Sequence, residues 1–135
     1  MPVELVNPER LVAPTGYTRV SVATGSKLVH VAGQVALASD GTLTGEDNLR
    51  AQTVQALRNL VAALNAVGAT FDDVAQLTVY VPKWEPAKRE ALISGFRAAA
   101  SELGINPVRP SSLVGVDTLA EPAWLIEISA VAVIP

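Results

Sequence analysis

The 135-residue chain contains no cysteine and a single histidine. Without cysteine it forms no disulfide, offers no thiolate nucleophile and builds no thiolate metal site. The lone histidine, His30, leaves only a carboxylate cluster to hold a metal ion, and no such spacing occurs. His30 also lies among apolar neighbours in a strand-like run with no nucleophile elbow, which argues against a Ser-His-Asp hydrolase. A Walker loop and a dinucleotide fingerprint are both lacking. The ten Lys and Arg residues are scattered, net charge is −3, and no basic run reads as a nucleic-acid footprint. No apolar stretch approaches the length of a membrane span. The start, Met1 to Arg10, is polar and interrupted by proline, unlike a signal peptide. These absences lead to the expectation of a cytoplasmic protein with no metal, no nucleic-acid partner and no membrane partner.

Aromatic residues make up only 4% of the chain although half of it is hydrophobic, so Val, Leu, Ile and Ala must fill the core. So much aliphatic surface in a small chain also points to an oligomer. One domain over residues 1–135 is expected. Residues 17–23 alternate and are β-branched, Thr24 to Lys27 is a turn, and Leu28 to Ala32 is a second strand, which together predict a hairpin. A loop follows over about residues 36–47, with Asp40-Gly41 as its turn signal. Val54, Leu57, Leu60, Val61, Leu64 and Val67 recur at helical spacing, and Gly68 is placed to cap that helix. Residues 74–81 read as a third strand. Pro86 suits the first turn of a helix over 86–103, with Leu92, Ile93, Phe96, Ala99 and Leu103 as its buried stripe and Gly104 as its cap. Strands near 111–116 and 124–134 complete the order β-β-α-β-α-β-β with a hairpin at each end. The class is therefore α+β, with two helices on one face of a mixed sheet and the other face left for sister subunits to cover.

Two places carry candidate chemistry. Arg109 stands between Pro107-Val108 and Pro110-Ser111-Ser112, on a rigid turn beside a strand. A guanidinium presents two parallel N–H donors that match the two oxygens of a carboxylate, so Arg109 is the candidate substrate anchor. In the last strand, alternation sets Leu125, Glu127, Ser129, Val131 and Val133 on one face, against Trp124, Ile126, Ile128, Ala130 and Ala132 on the other. Glu127 and Ser129 are then same-side neighbours, ~6–7 Å apart along the strand. A carboxylate in so apolar a strand sits at an exposed edge or has a partner. Trp84 and Trp124 are expected to pack or to form an interface.

These segments resemble the reactive-intermediate/imine deaminases, the YjgF/YER057c/UK114 family. The resemblance runs over nearly the whole chain: Pro14 to Tyr17, Gly25 to Gln34, Gln52 to Leu60, Gly68 to Val74, Thr78 to Val81, Pro107 to Arg109 and Ile126 to Ala132. It implies a fold like that of the small chorismate mutases, a homotrimer with its sheets facing inward, and ligand clefts between subunits. It further implies hydrolysis of 2-imino acids to 2-keto acids and ammonia without a cofactor. By position, Arg109 takes the place of the arginine that holds the substrate carboxylate, and Tyr17 that of a cleft tyrosine. Gly33 matches a glycine whose backbone lines the pocket, Ser111 replaces a cysteine that acts through its backbone, and Glu127 matches the first acid of a Glu-x-Glu pair.

Three departures stand out. The second acid of that pair is Ser129, the serine common before Gly-Gln is Ala32, and the cleft asparagine is missing from the Glu90–Leu92 region. Serine is a poor base, so deaminase activity is expected to be weaker than usual or shifted toward other substrates, with Glu127 or Tyr17 as substitute proton handler. A trimer that binds a small carboxylate without turnover, or a pathway-specific hydrolase of an aminoacrylate-like substrate, are the alternatives.

Overall fold

A computed structural model describes residues 3–135. Its strands and helices are β1 (Val3–Val6), β2 (Val20–Ala23), β3 (Lys27–Gln34), α1 (Leu49–Ala66), β4 (Val74–Pro82), α2 (Arg89–Leu103), β5 (Ser111–Val116) and β6 (Glu127–Ile134). The expected class holds: two helices lie on one face of a mixed sheet of order β3-β6-β4-β5. β6 runs antiparallel to both β3 and β4, and β4 runs parallel to β5.

The pairing differs from the two terminal hairpins expected. β2 pairs with β1, a short strand in the segment read as merely polar, and β3 pairs with β6. The turn between β2 and β3 is held by the far end of the chain instead. Ser26 N–H donates to the Ile134 carbonyl at 3.1 Å. A Cβ on Gly25 would stand 2.5 Å from that same oxygen, so only glycine fits there. The second hairpin fails for a topological reason. Because α2 connects β4 to β5, those strands lie parallel, and β6 then inserts between β3 and β4.

The helices form as their spacing predicts. Asn48 caps α1 by accepting from Ala51 N–H at 2.9 Å, Gly68 follows its end with φ +79°, and Gly104 ends α2 in the left-handed region. The two helices lie side by side, and a Cβ on Gly95 of α2 would approach Thr53 of α1 to 2.6 Å, which sets how closely they pack. Gly95 is buried, whereas Ile93 of the expected stripe is 42% exposed, because the helix contact centres on the glycine. Leu57, Leu60 and Leu64 pack with Leu77, Val81, Ile128 and Ala132 in an aliphatic core. Trp84 packs against its edge. No helix among the described residues is long and apolar enough to cross a membrane.

Alternation along β4 and β6 makes the sheet two-sided. Ile128, Ala130, Ala132 and Ile134 face the helices and are buried, while Glu127, Ser129, Val131 and Val133 are only half-buried on the other side. Neither helix covers that second side.

Candidate functional site

The residues singled out from the sequence fall into two groups, one at the start of β5 and the other around the start of β6, two strands away. The first surrounds Arg109, on the bend before β5. Thr18 N–H donates to the Arg109 carbonyl at 3.2 Å, and Thr18 bridges Pro110, which brings Tyr17 alongside the arginine's segment. The Ser111 hydroxyl donates to the same carbonyl at 2.8 Å, so its side chain is spent on holding the bend. Tyr17 is half-buried, and the guanidinium of Arg19 stacks over its ring with its centre 5.2 Å from the centroid. The Thr18 hydroxyl is buried without a hydrogen-bond partner.

The Arg109 side chain itself is only 2% exposed. Its Nε donates to the Asn106 carbonyl and one terminal nitrogen to the Asp72 carbonyl, each at 3.4 Å. The other terminal nitrogen faces the Asp72 carboxylate at 3.2 Å. All three contacts are long for charged hydrogen bonds, and they use three of the five N–H groups. Burial pushes the Arg109 pKa below its usual value, against the opposing pull of Asp72 and Asp73. Asp72 is a partner that the sequence reading missed. Asp73 accepts from Thr70 N–H at 2.8 Å to cap the short 3-10 turn Phe71–Asp73, which leaves Asp72 free to face the arginine.

The second group is Gly33, Glu127 and Ser129. Glu127 lies directly over Gly33: a Cβ there would come within 2.4 Å of its Oε2. Glu127 pairs opposite Tyr80, and Ser129 opposite Thr78, on the uncovered face. Two polar side chains of α1, the buried Gln52 and the half-buried Asn59, hold the flanks of this group. Gln52 donates to the Gly45 and Ala123 carbonyls, both at 3.1 Å, and accepts from Leu125 N–H at 2.9 Å. Asn59 donates to the Val35 and Leu37 carbonyls at 2.9 and 2.8 Å. The chain entering β6 and the chain leaving β3 are thereby fixed on either side of Glu127 and Gly33. Gln52 is fully satisfied, as a buried amide must be.

The two groups do not meet within one chain. Ser111 is level with Leu77 and Glu127 with Tyr80 on β4. Three residues along the strand and two strand spacings across separate them by roughly 14 Å. Ser111 also lies opposite a core residue, whereas Glu127 and Ser129 lie on the uncovered face. Among the described residues, no three His, Cys, Asp or Glu side chains are grouped to hold a metal ion. A concavity of about 810 Å³ lies elsewhere, on the helical side around Arg50, Arg89 and Arg97, and contains none of these residues.

The Endoribonuclease L-PSP family model matches residues 8–134. A RutC family protein of Synechocystis is 30% identical over 137 residues, spanning 100% of this chain and 99% of its own. Among solved structures, a conserved Rid family protein from Yersinia pestis superposes with a TM-score of 0.87 at 37% identity, over 99% of this chain and 100% of that one. A YjgF/YER057c/UK114 family member from Mycobacterium tuberculosis gives 0.62 at 27% identity, over 98% and 99%. Escherichia coli TdcF, solved with bound serine, shares the fold with a TM-score of 0.67 at 21% identity, over 98% and 99%.

Proposed function

The chain belongs to the Endoribonuclease L-PSP family, and from that membership we propose that it hydrolyses 2-imino or enamine acids to 2-keto acids and ammonia. Arg109 holds the substrate carboxylate in this reading. The observation that carries it is the state of that guanidinium: buried, with long contacts only, and with two N–H groups lacking an acceptor among the described residues. A buried, under-satisfied guanidinium is a strong receptor for a carboxylate.

Once the carboxylate is gripped, water adds through its oxygen to the C=N carbon. A proton passes to the nitrogen, the C–N bond breaks, ammonia departs and the keto acid remains. Holding the substrate in place supplies orientation, and Glu127, or Tyr17 on the arginine's side, moves the proton. Gly33 and Ser111 line the cleft through their backbones. Ser129 stands where a second acid would polarise water, so turnover is slower than with two acids.

Because the Arg109 and Glu127 groups lie far apart in one chain, the complete site in this reading forms between neighbouring copies of a homotrimer. The uncovered sheet face and the exposed Leu28 and Val114 support that assembly. A second reading, a trimer that binds a small carboxylate without turnover, is favoured by Ser129 alone. A hydrolase dedicated to an aminoacrylate-like substrate would use the same anchor.

The test generates 2-imino acids in place with an amino-acid oxidase and traps them with semicarbazide. Wild type is expected to lower the trapped product, and Arg109→Ala to lose that effect while retaining its circular dichroism spectrum. If wild type has no effect on small or bulky imines, the binding reading replaces this one. Light scattering that gives a monomer mass would remove the interfacial site.

A further inference from the structure

A guanidinium that is 2% exposed cannot receive a ligand unless a group beside it moves, even though two of its N–H groups lack an acceptor among the described residues. Assembly does not change this, since added copies of the chain only remove surface. Of the three acceptors on Arg109, the Asn106 and Asp72 carbonyls are main-chain atoms with little freedom to move. The third, the Asp72 carboxylate, ends a short side chain that is 60% exposed. That carboxylate makes no other hydrogen bond among the described residues, because Asp73 supplies the cap of the 3-10 turn. The one solvent-facing, movable group on the arginine is therefore a carboxylate, the same chemical group the proposed substrate presents.

We propose that Asp72 is an internal competitor for the ligand's carboxylate: it holds the Arg109 fork in the free protein and swings into solvent when a ligand binds. This rests on the reading of Arg109 as the carboxylate anchor. An exchange of one carboxylate for another keeps the buried cation compensated at every stage. Insertion of a neutral group would leave it unpaired, which a buried charge does not tolerate. Asp72 thus sets selectivity as well as affinity. Only a ligand whose anion bonds the fork better than one carboxylate oxygen at 3.2 Å displaces it, and a bidentate carboxylate does so. Because Asp72 is largely exposed, its hold is weak enough to be broken.

The experiment titrates pyruvate, a minimal 2-keto acid, and its neutral amide into the full-length assembled wild type, Asp72→Asn and Asp72→Ser, read by calorimetry. Both variants are expected to bind pyruvate at least ~5-fold more tightly than wild type, the lower end of ordinary coupling between competing contacts. The amide should bind none of the three. Unchanged or weaker pyruvate binding in both variants overturns the proposal, as does a lack of pyruvate binding by all three proteins. A measurement on wild type alone covers the case in which the variants fold poorly. With carbon-13 in the aspartate carboxyls, the Asp72 resonance is expected to move at pyruvate saturation, and a stationary resonance overturns the proposal. Failure here is distinguishable from failure of the deaminase reading. If wild type leaves imines untouched while the Asp72 variants bind pyruvate more tightly, the competition stands and the deaminase reading falls. If wild type consumes imines through Arg109 while Asp72→Asn changes neither pyruvate affinity nor KM, the deaminase reading stands and the competition falls.

Discussion

The two faces of the four-stranded sheet are made by alternate residues of the same strands, and they do different work. On the helix side, Leu77, Val79 and Val81 of β4 meet Ile128, Ala130 and Ala132 of β6, all at most 5% exposed. On the other side the same strands present Thr78, Tyr80, Glu127 and Ser129, half-buried and with no helix over them. The apolar face supplies stability by excluding water from aliphatic carbon. The polar face leaves its carboxylate and hydroxyls available, and Glu127 and Ser129 of the proposed proton chemistry lie there. A residue's stability cost and its role in chemistry should therefore separate by parity along β6.

The sharpest way to break that comparison is to cut one residue on each face. Ile128→Ala removes a fully buried side chain and is expected to cost ~2–5 kcal/mol in a denaturant titration. Its neighbour Ser129→Ala is expected to stay within ~0.5 kcal/mol of wild type. Equal losses at the two positions would show that the open face is as tightly packed as the core. Next in size is a gain. Ser129→Glu restores a second acid beside Glu127 and is expected to raise imine turnover by ~10²-fold, the lower end of what a positioned acid or base contributes. No gain in kcat would mean that β6 does not handle the water.

Gly33→Ala tests the contact between β3 and Glu127. The new Cβ would clash with Glu127 from its Cγ outward, so the whole Glu127 side chain must change rotamer, and the melting temperature is expected to fall modestly. Turnover should fall several-fold if the position of Glu127 matters, and unchanged turnover would exclude the acid as proton handler.

The smallest effect is expected far from either face, at the surface pair of Arg58 and Glu102 between α1 and α2, 2.5 Å apart. The hydrogen bond from Arg58 holds the Glu102 pKa below its usual 4.5. A carboxyl depressed on folding contributes stability that is intact above its unfolded pKa and fades as pH falls through the folded one. Glu102→Gln should therefore melt slightly below wild type at neutral pH and together with it once pH is well below 4.5. A difference that persists in acid would assign the effect to packing instead of charge.

Much of the fold was legible in the residues. Apolar spacing placed both helices, Gly68 and Gly104 marked their ends, and period-two alternation assigned Glu127 to Val133 of β6 to the correct faces. Strand partners were not legible. Neighbouring strands with a glycine turn between them read as a hairpin, yet the Gly25 turn closes against Ile134, more than a hundred residues away along the chain. The same holds for the site. Arg109, Glu127 and Gly33 stood out by residue type and position, but nothing local tied Asp72 to Arg109 across 37 residues, or set Gly33 beneath Glu127.

The sequence by itself therefore determined the class of fold, both helices and most strands, the faces of the last strand and the identity of the chemical groups, because these follow from periodicities of 3.6 and 2 and from side-chain chemistry. Only the tertiary structure decided which strands are neighbours, that Arg109 is buried against a carboxylate of its own chain, and that the two polar groups are too far apart to form one site within it. Those are contacts between residues distant in sequence, set by the common requirement that all apolar faces be buried at once, and no local pattern encodes them.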